Sequence, residues 1–252
     1  MEMSQVKTKE ELKLMKVSGA ICAKALKKVL ESVRPGVKCI DLDRIADVEI
    51  RKNGGESSFK TVDDYKWTIC TTINSQVVHG IPTERQLESG DVLGIDIGAI
   101  YRGYHSDMAI SVPVGNIPKS TMKFLETGKQ TLKEAIKAAK VDGTIGDISS
   151  TIQNKIEGAS YSIVKSLTGH GVGRELHEDP MVPGFGKKGL GPKILESMVL
   201  AIEVIYAQGS GDVYLEQDNW TISTKDKSLG GLFEQTVAVT KDGPIVLTPY
   251  LK

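Results

Sequence analysis

The sequence predicts an α+β fold. Strand-like runs follow one another closely enough to form hairpins. Helical patterns are segregated from them, and the order helix–helix–strands occurs twice. Segregation of this kind argues against a doubly wound parallel sheet. At 252 residues the chain is long enough for a sizeable core, and no low-complexity stretch or linker divides it. The two halves share pattern but no visible sequence identity, so a structural pseudo-repeat is an expectation only.

Each element has its own signal. Thr8-Lys9-Glu10-Glu11 is a capping box that opens the first helix. Leu14, Val17, Ile21, Ala25 and Val29 keep helical spacing, and Arg34-Pro35-Gly36 ends it. A second helix is expected from Asp41, through Leu42, Ile45 and Ala46, to the stop at Asn53-Gly54-Gly55. Strands are expected over Trp67–Ile73, Asp91–Ile97 and Asp107–Val114, with 98–103 as the turn between the last two. The second set opens with helices over Pro118–Ala139 and Ile145–Glu157. Strands follow near Ser162–Leu167, Met198–Ala207, Asp212–Asp218, Trp220–Thr224, Phe233–Thr240 and Pro244–Leu247. The glycine-rich stretch Pro183–Pro192 reads as a flexible loop, and its lysines as a solvated face.

Composition removes several function classes. Lys+Arg and Asp+Glu both number 32, so no global field favours nucleic acid or an anionic membrane. No apolar run approaches a membrane span. Met1 to Lys7 shows no apolar signal core. Cys22, Cys39 and Cys70 are isolated, which suits a reducing compartment without disulfides. The expectation is a cytoplasmic, monomeric, soluble protein.

Four carboxylates sit where strand patterns should be apolar. Asp96 lies between Ile95 and Ile97, and Glu203 between Ile202 and Val204. Glu234 opens Gln235-Thr236-Val237-Ala238-Val239, and Asp107 heads Met108-Ala109-Ile110-Ser111-Val112. A buried ionised carboxylate costs on the order of several kcal/mol or more unless something positive compensates it. No Lys or Arg lies within two residues of any of them. A strand carboxylate on its own is ordinarily solvent-facing or paired with a base; four together imply bound cation. Thr168-Gly169-His170-Gly171-Val172-Gly173 adds an imidazole, with His177 further on. Carboxylates with one imidazole suit Mn, Fe, Co or Zn, with Mg also open. Four negative charges match two divalent ions, which at about 3.5–4 Å separation share a hydroxide nucleophile. His105 reads as a turn histidine without a catalytic role, and Cys70 by itself as a small buried residue. There is no Gly-x-Ser-x-Gly elbow and no phosphate-binding GxxxxGK[ST] loop.

These residues lie in stretches that resemble the type I methionine aminopeptidases. The likeness runs through Thr71-Thr72-Ile73-Asn74, Val78-His79-Gly80-Ile81-Pro82, Gly90-Asp91-Val92, Asp96-Ile97-Gly98 and Gly103-Tyr104-His105-Ser106-Asp107. It continues through Thr168 to Arg174, His177-Glu178-Asp179-Pro180, Glu203, Trp220-Thr221 and Phe233-Glu234-Gln235-Thr236-Val237. It covers nearly the whole chain.

The resemblance implies a pita-bread fold, in which two pseudo-symmetric halves share a curved antiparallel sheet with helices on its outer face. A single catalytic domain would span 1–252, with halves at about 8–114 and 118–248. It implies that Asp96 chelates one metal, that His170 and Glu203 chelate the other, and that Asp107 and Glu234 bridge. Glu203 would shuttle protons, His177 would contact the scissile carbonyl oxygen and His79 would sit by the scissile nitrogen. Tyr65, Cys70, Leu176 and Trp220, with Phe59 beside them, would line the methionine pocket; without the metal motif they would read as core. The implied activity is removal of the N-terminal methionine, before a small second residue, from nascent chains, with the ribosome as a candidate transient partner. By the same rule Met1-Glu2 would keep its methionine.

Departures from the family pattern are Val204 for Pro, Gln235 for His, Gly184-Phe185 for His-Tyr, Leu176 for Phe and Val62 for a pocket Tyr. They bear on pocket shape and metal preference rather than on the ligands. The competing readings are an X-Pro-specific pita-bread peptidase and a non-catalytic binding module. The first usually carries a long N-terminal domain, and the second tends to lose ligands.

Overall fold

The structure, a computed structural model, describes residues 6–251. The expectation for Met1-Glu2 lies outside them. The first pair of helices is α1 (Lys9–Leu30) and α2 (Cys39–Lys52), and the second is α3 (Lys119–Ala138) and α4 (Ile145–Gly158). The Thr8 capping box forms as expected, and Thr144 with Asp147 builds a second one on α4. Helix α2 starts two residues before the expected Asp41. Its first N–H groups need no side-chain cap, because Cys39 and Ile40 donate to the carbonyls of Arg85 and Thr83.

The strands are β1 (Glu56–Ser57), β2 (Ile69–Ile73), β3 (Gln76–Val78), β4 (Val92–Tyr101) and β5 (Tyr104–Pro113) in the first half. The second half contributes β6 (Ser162–Ile163), β7 (Thr168–Gly171), β8 (Glu178–Pro183), β9 (Val199–Ala207), β10 (Val213–Leu215), β11 (Ile222–Thr224), β12 (Gly230–Thr240) and β13 (Gly243–Val246). A ten-stranded sheet runs β1-β4-β5-β12-β9-β7-β8, with β2 on β4, β6 on β9 and β13 on β12. Strands β10, β11 and β3 form a smaller sheet. Every pairing is antiparallel, so the α+β expectation holds.

Several expectations are corrected. The turn placed at 98–103 is only Arg102-Gly103, flanked by the pair Tyr101–Tyr104. Both turn residues have positive φ, 49° and 78°, the signature of a two-residue type I′ hairpin. Gly98 is a strand residue paired with Asp107, and it is glycine because a Cβ there would lie 2.6 Å from Ser58 Cβ. Strand β7 hides in its glycines for the same reason. A Cβ on Gly169 would meet the Ala201 carbonyl oxygen at 2.5 Å, and one on Gly171 that of Asp179 at 2.3 Å. The strands expected over Ser162–Leu167 and Asp212–Asp218 shrink to β6 and β10. His105 lies within β5, not in a turn, and its Nδ1 shares a 2.6 Å hydrogen bond with Ser58 Oγ. Beyond Pro183 the glycine-rich loop is tied to α4: Gly186 N–H donates to Gln153, Gly189 N–H to Asp147, and Gly146 N–H to the Leu190 carbonyl.

Side-chain parity separates the two faces of the large sheet. Ile95, Ile97, Met108, Ile110, Ile202, Val204 and Phe233 pack with Ile21, Leu26, Phe124 and Leu132 of the helices in one core. The alternate residues face away from the helices. Helix α3 comes close enough to this core that Gly128 touches the sheet, a Cβ there falling 2.6 Å from Phe233 Cδ2 and 2.5 Å from Tyr206 Oη. Helix propensity favours Ala over Gly by about 1 kcal/mol, but overpacking against fixed neighbours costs about 1–3 kcal/mol. Tyr206 and Phe233 are fully buried and cannot yield. Gly128→Ala is therefore expected to lower the unfolding free energy in a urea titration; an increase would show that α3 slides freely.

Candidate active site

Strand register explains how the carboxylates meet. Asp96 pairs with Ala109, Ala109 with Glu234, and Glu234 with Glu203. These four residues form one row across β4, β5, β12 and β9, and Cys70 of β2 extends it beyond Asp96. The next row on the same face holds Asp107 opposite Gly98, and His170 opposite Ala201. Small residues at 98, 109 and 201 leave space between the charged ones. Two neighbouring rows thus bring four carboxylates and one imidazole to a single patch.

The patch is electrostatically unbalanced. Glu234, Asp107 and His170 are buried. Among the described residues, no ion pair joins a Lys or Arg to any of the four carboxylates. Burial pushes all of them up, and mutual repulsion adds to it at Asp107, Glu203 and Glu234. Asp96 reaches about 7 through burial, against the lowering effect of hydrogen bonding with Asp107 and the Ile97 N–H. Asp107 rises well above the carboxylate range through burial, Glu234 and Asp96, and Glu234 through burial, Glu203 and Asp96. Glu203 rises through burial, Asp96 and Asp107.

Three buried oxygens, Asp96 Oδ1, Asp107 Oδ1 and Glu234 Oε1, have no hydrogen-bond partner. Orphaned buried carboxylate oxygens of this kind fit a cation. One atom each from Asp107, His170 and Glu234 lie within 4.8 Å of one another. His170 Nε2 is 4.0 Å from Asp107 Oδ2 and 3.9 Å from Glu234 Oε1. His170 Nδ1 donates to the Gly171 carbonyl at 2.8 Å, which leaves the Nε2 lone pair facing the carboxylates. Burial and the neighbouring His177 hold its pKa down at about 4, so the ring is neutral and able to ligate. The donor set therefore fits divalent metal of hard to borderline character.

A cavity of about 130 Å³ opens beside this patch, near the size that admits one benzene-sized group. Its walls include every residue expected to bind metal or substrate: the five metal-site side chains, His79, His177, Phe59, Tyr65, Cys70, Leu176 and Trp220. The apolar end is an aromatic cluster. Tyr65 stands edge-on to Trp67 at 5.3 Å, to Trp220 at 5.0 Å and to Phe59 at 6.4 Å. Tyr65 donates its hydroxyl to the Ile69 carbonyl and contacts Cys70 Sγ at 3.1 Å. Asp218 accepts from the Trp220 and Thr221 N–H groups and so holds the turn that carries Trp220.

Both rim histidines are aimed by backbone constraints. His79 adopts φ 58° as the chain leaves β3. Gly80 follows it because a Cβ there would strike the Thr71 carbonyl oxygen at 2.1 Å. His177 ends a loop organised by Glu178, whose Oε1 accepts from Arg174 and Glu175 N–H while Oε2 pairs with buried Lys7 at 2.6 Å. The rings of His170 and His177 meet edge-on at 4.5 Å. Both rim rings reach solvent, yet the protein around their inner edges lowers both pKa values, with His177 adding to the effect on His79.

The sequence missed two wall residues, Val78 and Leu232. Leu232 was legible in principle, since it lies two positions before Glu234 and so shares its face. Val78 takes its place from the small sheet, where it pairs with Ile222. Of the departures, Val62 and Leu176 line the cavity, but Val204 packs in the helix-side core. Gln235 turns to the same side, paired with Ile202, and its amide donates to the Thr248 carbonyl. Neither residue reshapes the pocket.

The raised carboxyls make a stability prediction. In metal-free protein the native state binds more protons than the unfolded chain, so the cluster's contribution to stability falls as pH rises from about 4 to 7. Glu234→Gln, stripped of metal by chelator, should melt above the equally stripped wild type at pH 7.5. The gain is about 1–2 kcal/mol, or several degrees, and the gap should close toward pH 5. A gap independent of pH would show that repulsion is not its source.

Comparison with known proteins agrees with this geometry. Residues 13–241 match metallopeptidase family M24. Methionine aminopeptidase of Clostridium perfringens is 40% identical over 243 residues, covering 96% of this chain and 98% of the relative. Methionine aminopeptidase 1 of Bacillus subtilis is 40% identical over 242 residues, with 96% and 98% covered. The crystal structure of methionine aminopeptidase from Thermotoga maritima superposes with a TM-score of 0.95 at 34% identity, covering 96% of this chain and 98% of that one. The chain belongs to metallopeptidase family M24, among the methionine aminopeptidases.

Proposed function

We propose that this chain is a metal-dependent exopeptidase that removes the N-terminal methionine from nascent proteins and peptides with a small second residue. One observation carries the reading: a single cavity joins an apolar, aromatic end to a carboxylate–imidazole end. A thioether side chain suits the first, since sulfur packs well against aromatic edges. Hydrolysis suits the second. Phe59, Tyr65, Cys70, Leu176 and Trp220 are proposed to hold the methionine side chain.

Asp96, Asp107, His170, Glu203 and Glu234 are proposed to hold two divalent ions, drawn from Co, Mn, Fe or Zn, with Asp107 and Glu234 shared. Bound there, the ions would supply Lewis acidity toward the scissile carbonyl and acidify a water to near neutrality. The side chains have distinct tasks. Glu203 takes the proton of the attacking water and passes it to the leaving amine, as a carboxylate placed beside the reacting atoms can. His177, neutral near pH 7, donates to the carbonyl oxygen as charge develops on it. His79 orients the scissile nitrogen. The free α-amine of the substrate would bind near a metal, which makes the enzyme an exopeptidase.

The unit is proposed to be a monomeric cytoplasmic enzyme, a single catalytic domain with halves at about 8–114 and 118–248. It would act on emerging N-termini with the ribosome as a transient partner. No helix among the described residues is long and apolar enough to cross a membrane.

Metal-loaded protein should cleave Met-Ala-Ser and leave X-Pro peptides intact. The reverse result indicates the X-Pro peptidase reading, and cleavage of neither indicates a binding module. His170→Ala should lose both metal and turnover, read by elemental analysis and peptide assay. His177→Ala should keep its metal and lose roughly 10²–10³ in kcat, as for deletion of one oxyanion donor. Metal-free His177→Ala protein would instead make His177 part of the metal site.

A further inference from the structure

Strands β5 and β12 meet along the line that joins the two halves, and their pairing differs from that of their neighbours. The β4–β5 ladder is continuous from Val92–Pro113 to Tyr101–Tyr104, and the β12–β9 ladder from Gly230–Ala207 to Ala238–Val199. Between β5 and β12 only Ala109–Glu234 and Met108–Gln235 pair. Hydroxyls take over on both sides. Ser111 Oγ donates to the Leu232 carbonyl at 3.0 Å and accepts the Leu232 N–H at 3.0 Å. Thr236 Oγ1 donates to the Asp107 carbonyl at 2.7 Å and accepts the Asp107 N–H at 2.9 Å.

The two hydroxyls come from opposite strands and flank the Ala109–Glu234 pair symmetrically. Each stands between backbones that would otherwise bond directly. It satisfies both groups in place of a direct backbone bond. Both side chains are buried. The C-terminal segment braces the seam from behind. Thr248 Oγ1 accepts the Thr236 N–H at 2.8 Å, and Tyr250 Oη reaches the Ala109 carbonyl at 2.6 Å and that of Glu234 at 3.1 Å.

We infer that Ser111 and Thr236 are positioning residues, hydroxyl spacers that set the gap between Asp107 on β5 and Glu234 on β12. The inference rests on the proposed reading of these two carboxylates as shared between two ions. The spacing of the ions then depends on the width of the seam, and a conventional ladder would draw the carboxylates into a different separation. These hydroxyl bridges fall in the strand pair whose two sides each supply a shared carboxylate.

The test is calorimetric titration of Mn²⁺ into chelator-treated protein. Thr236→Val keeps the side-chain shape and removes both hydroxyl bonds; Thr236→Ser keeps them. Thr236→Val should weaken the second ion roughly 10–100-fold, the range for groups that orient metal ligands, while Thr236→Ser stays within about two-fold of wild type. Ser111→Ala should shift the same affinity in the same direction, and it decides the matter if Thr236→Val melts below the assay temperature. Wild-type affinities in both Thr236→Val and Ser111→Ala overturn the spacer role alone. Equal losses in Thr236→Ser and Thr236→Val also overturn it, because the methyl group would then be the cause. A wild type that takes up no second ion overturns the two-ion reading and this inference with it.

Discussion

Glu234 and Glu203 are direct cross-strand neighbours on a face that the protein closes off, with Asp107 one strand and Asp96 two strands from Glu234. Like charges placed opposite each other on a sheet repel, and burial multiplies the effect. The structure tolerates this only because the rest of the fold holds the strands in place. Helices pack the opposite face with a continuous apolar core, so the strands cannot rotate their charges outward without exposing Ile95, Ile97, Phe233 and Val204. A one-residue slip would exchange the two faces completely. The sheet's register is therefore both the source of the strain and the reason it persists.

From that constraint follows a division of labour. The charged groups lie on β4, β5, β9 and β12, the rigid centre of the large sheet, with His170 on adjacent β7. Groups proposed to touch the substrate lie mostly at its margin. Trp220 sits on a turn held by Asp218, His79 follows the end of β3, and Leu176 and His177 close a loop organised by Glu178 and Lys7. Strands give the metal site accuracy, and loops give the pocket its shape. Pocket residues such as Val62 and Leu176 can then vary without disturbing the charged rows.

Much of this was legible before the fold was known. Acidic residues interrupting apolar alternation marked the ligands, because parity alone puts Asp96 and its neighbours Ile95 and Ile97 on opposite faces. Capping chemistry located α1. The failures share a cause. Gly98 was placed in a turn and no strand was expected at Gly169 or Gly171, yet each lies in a strand and is glycine because a neighbour occupies the space of its Cβ. Such exclusion by a sequence-distant group leaves no local signal.

The sequence by itself determined the order of the four helices and of the longer strands, though not β1, β3, β7 or β8, together with the parity that separates charged from apolar faces and the identity of the acidic and imidazole donors. These are local properties, set by side-chain chemistry and by the periods of helix and strand. Only the tertiary structure decided that Val204 and Gln235 belong to the helix side, that Leu232 and Val78 complete the cavity wall, and that β5 and β12 are joined through Ser111 and Thr236. Those outcomes depend on how strands from the two halves align and how far apart they stand, and long-range register is a property of the packed sheet rather than of any one segment.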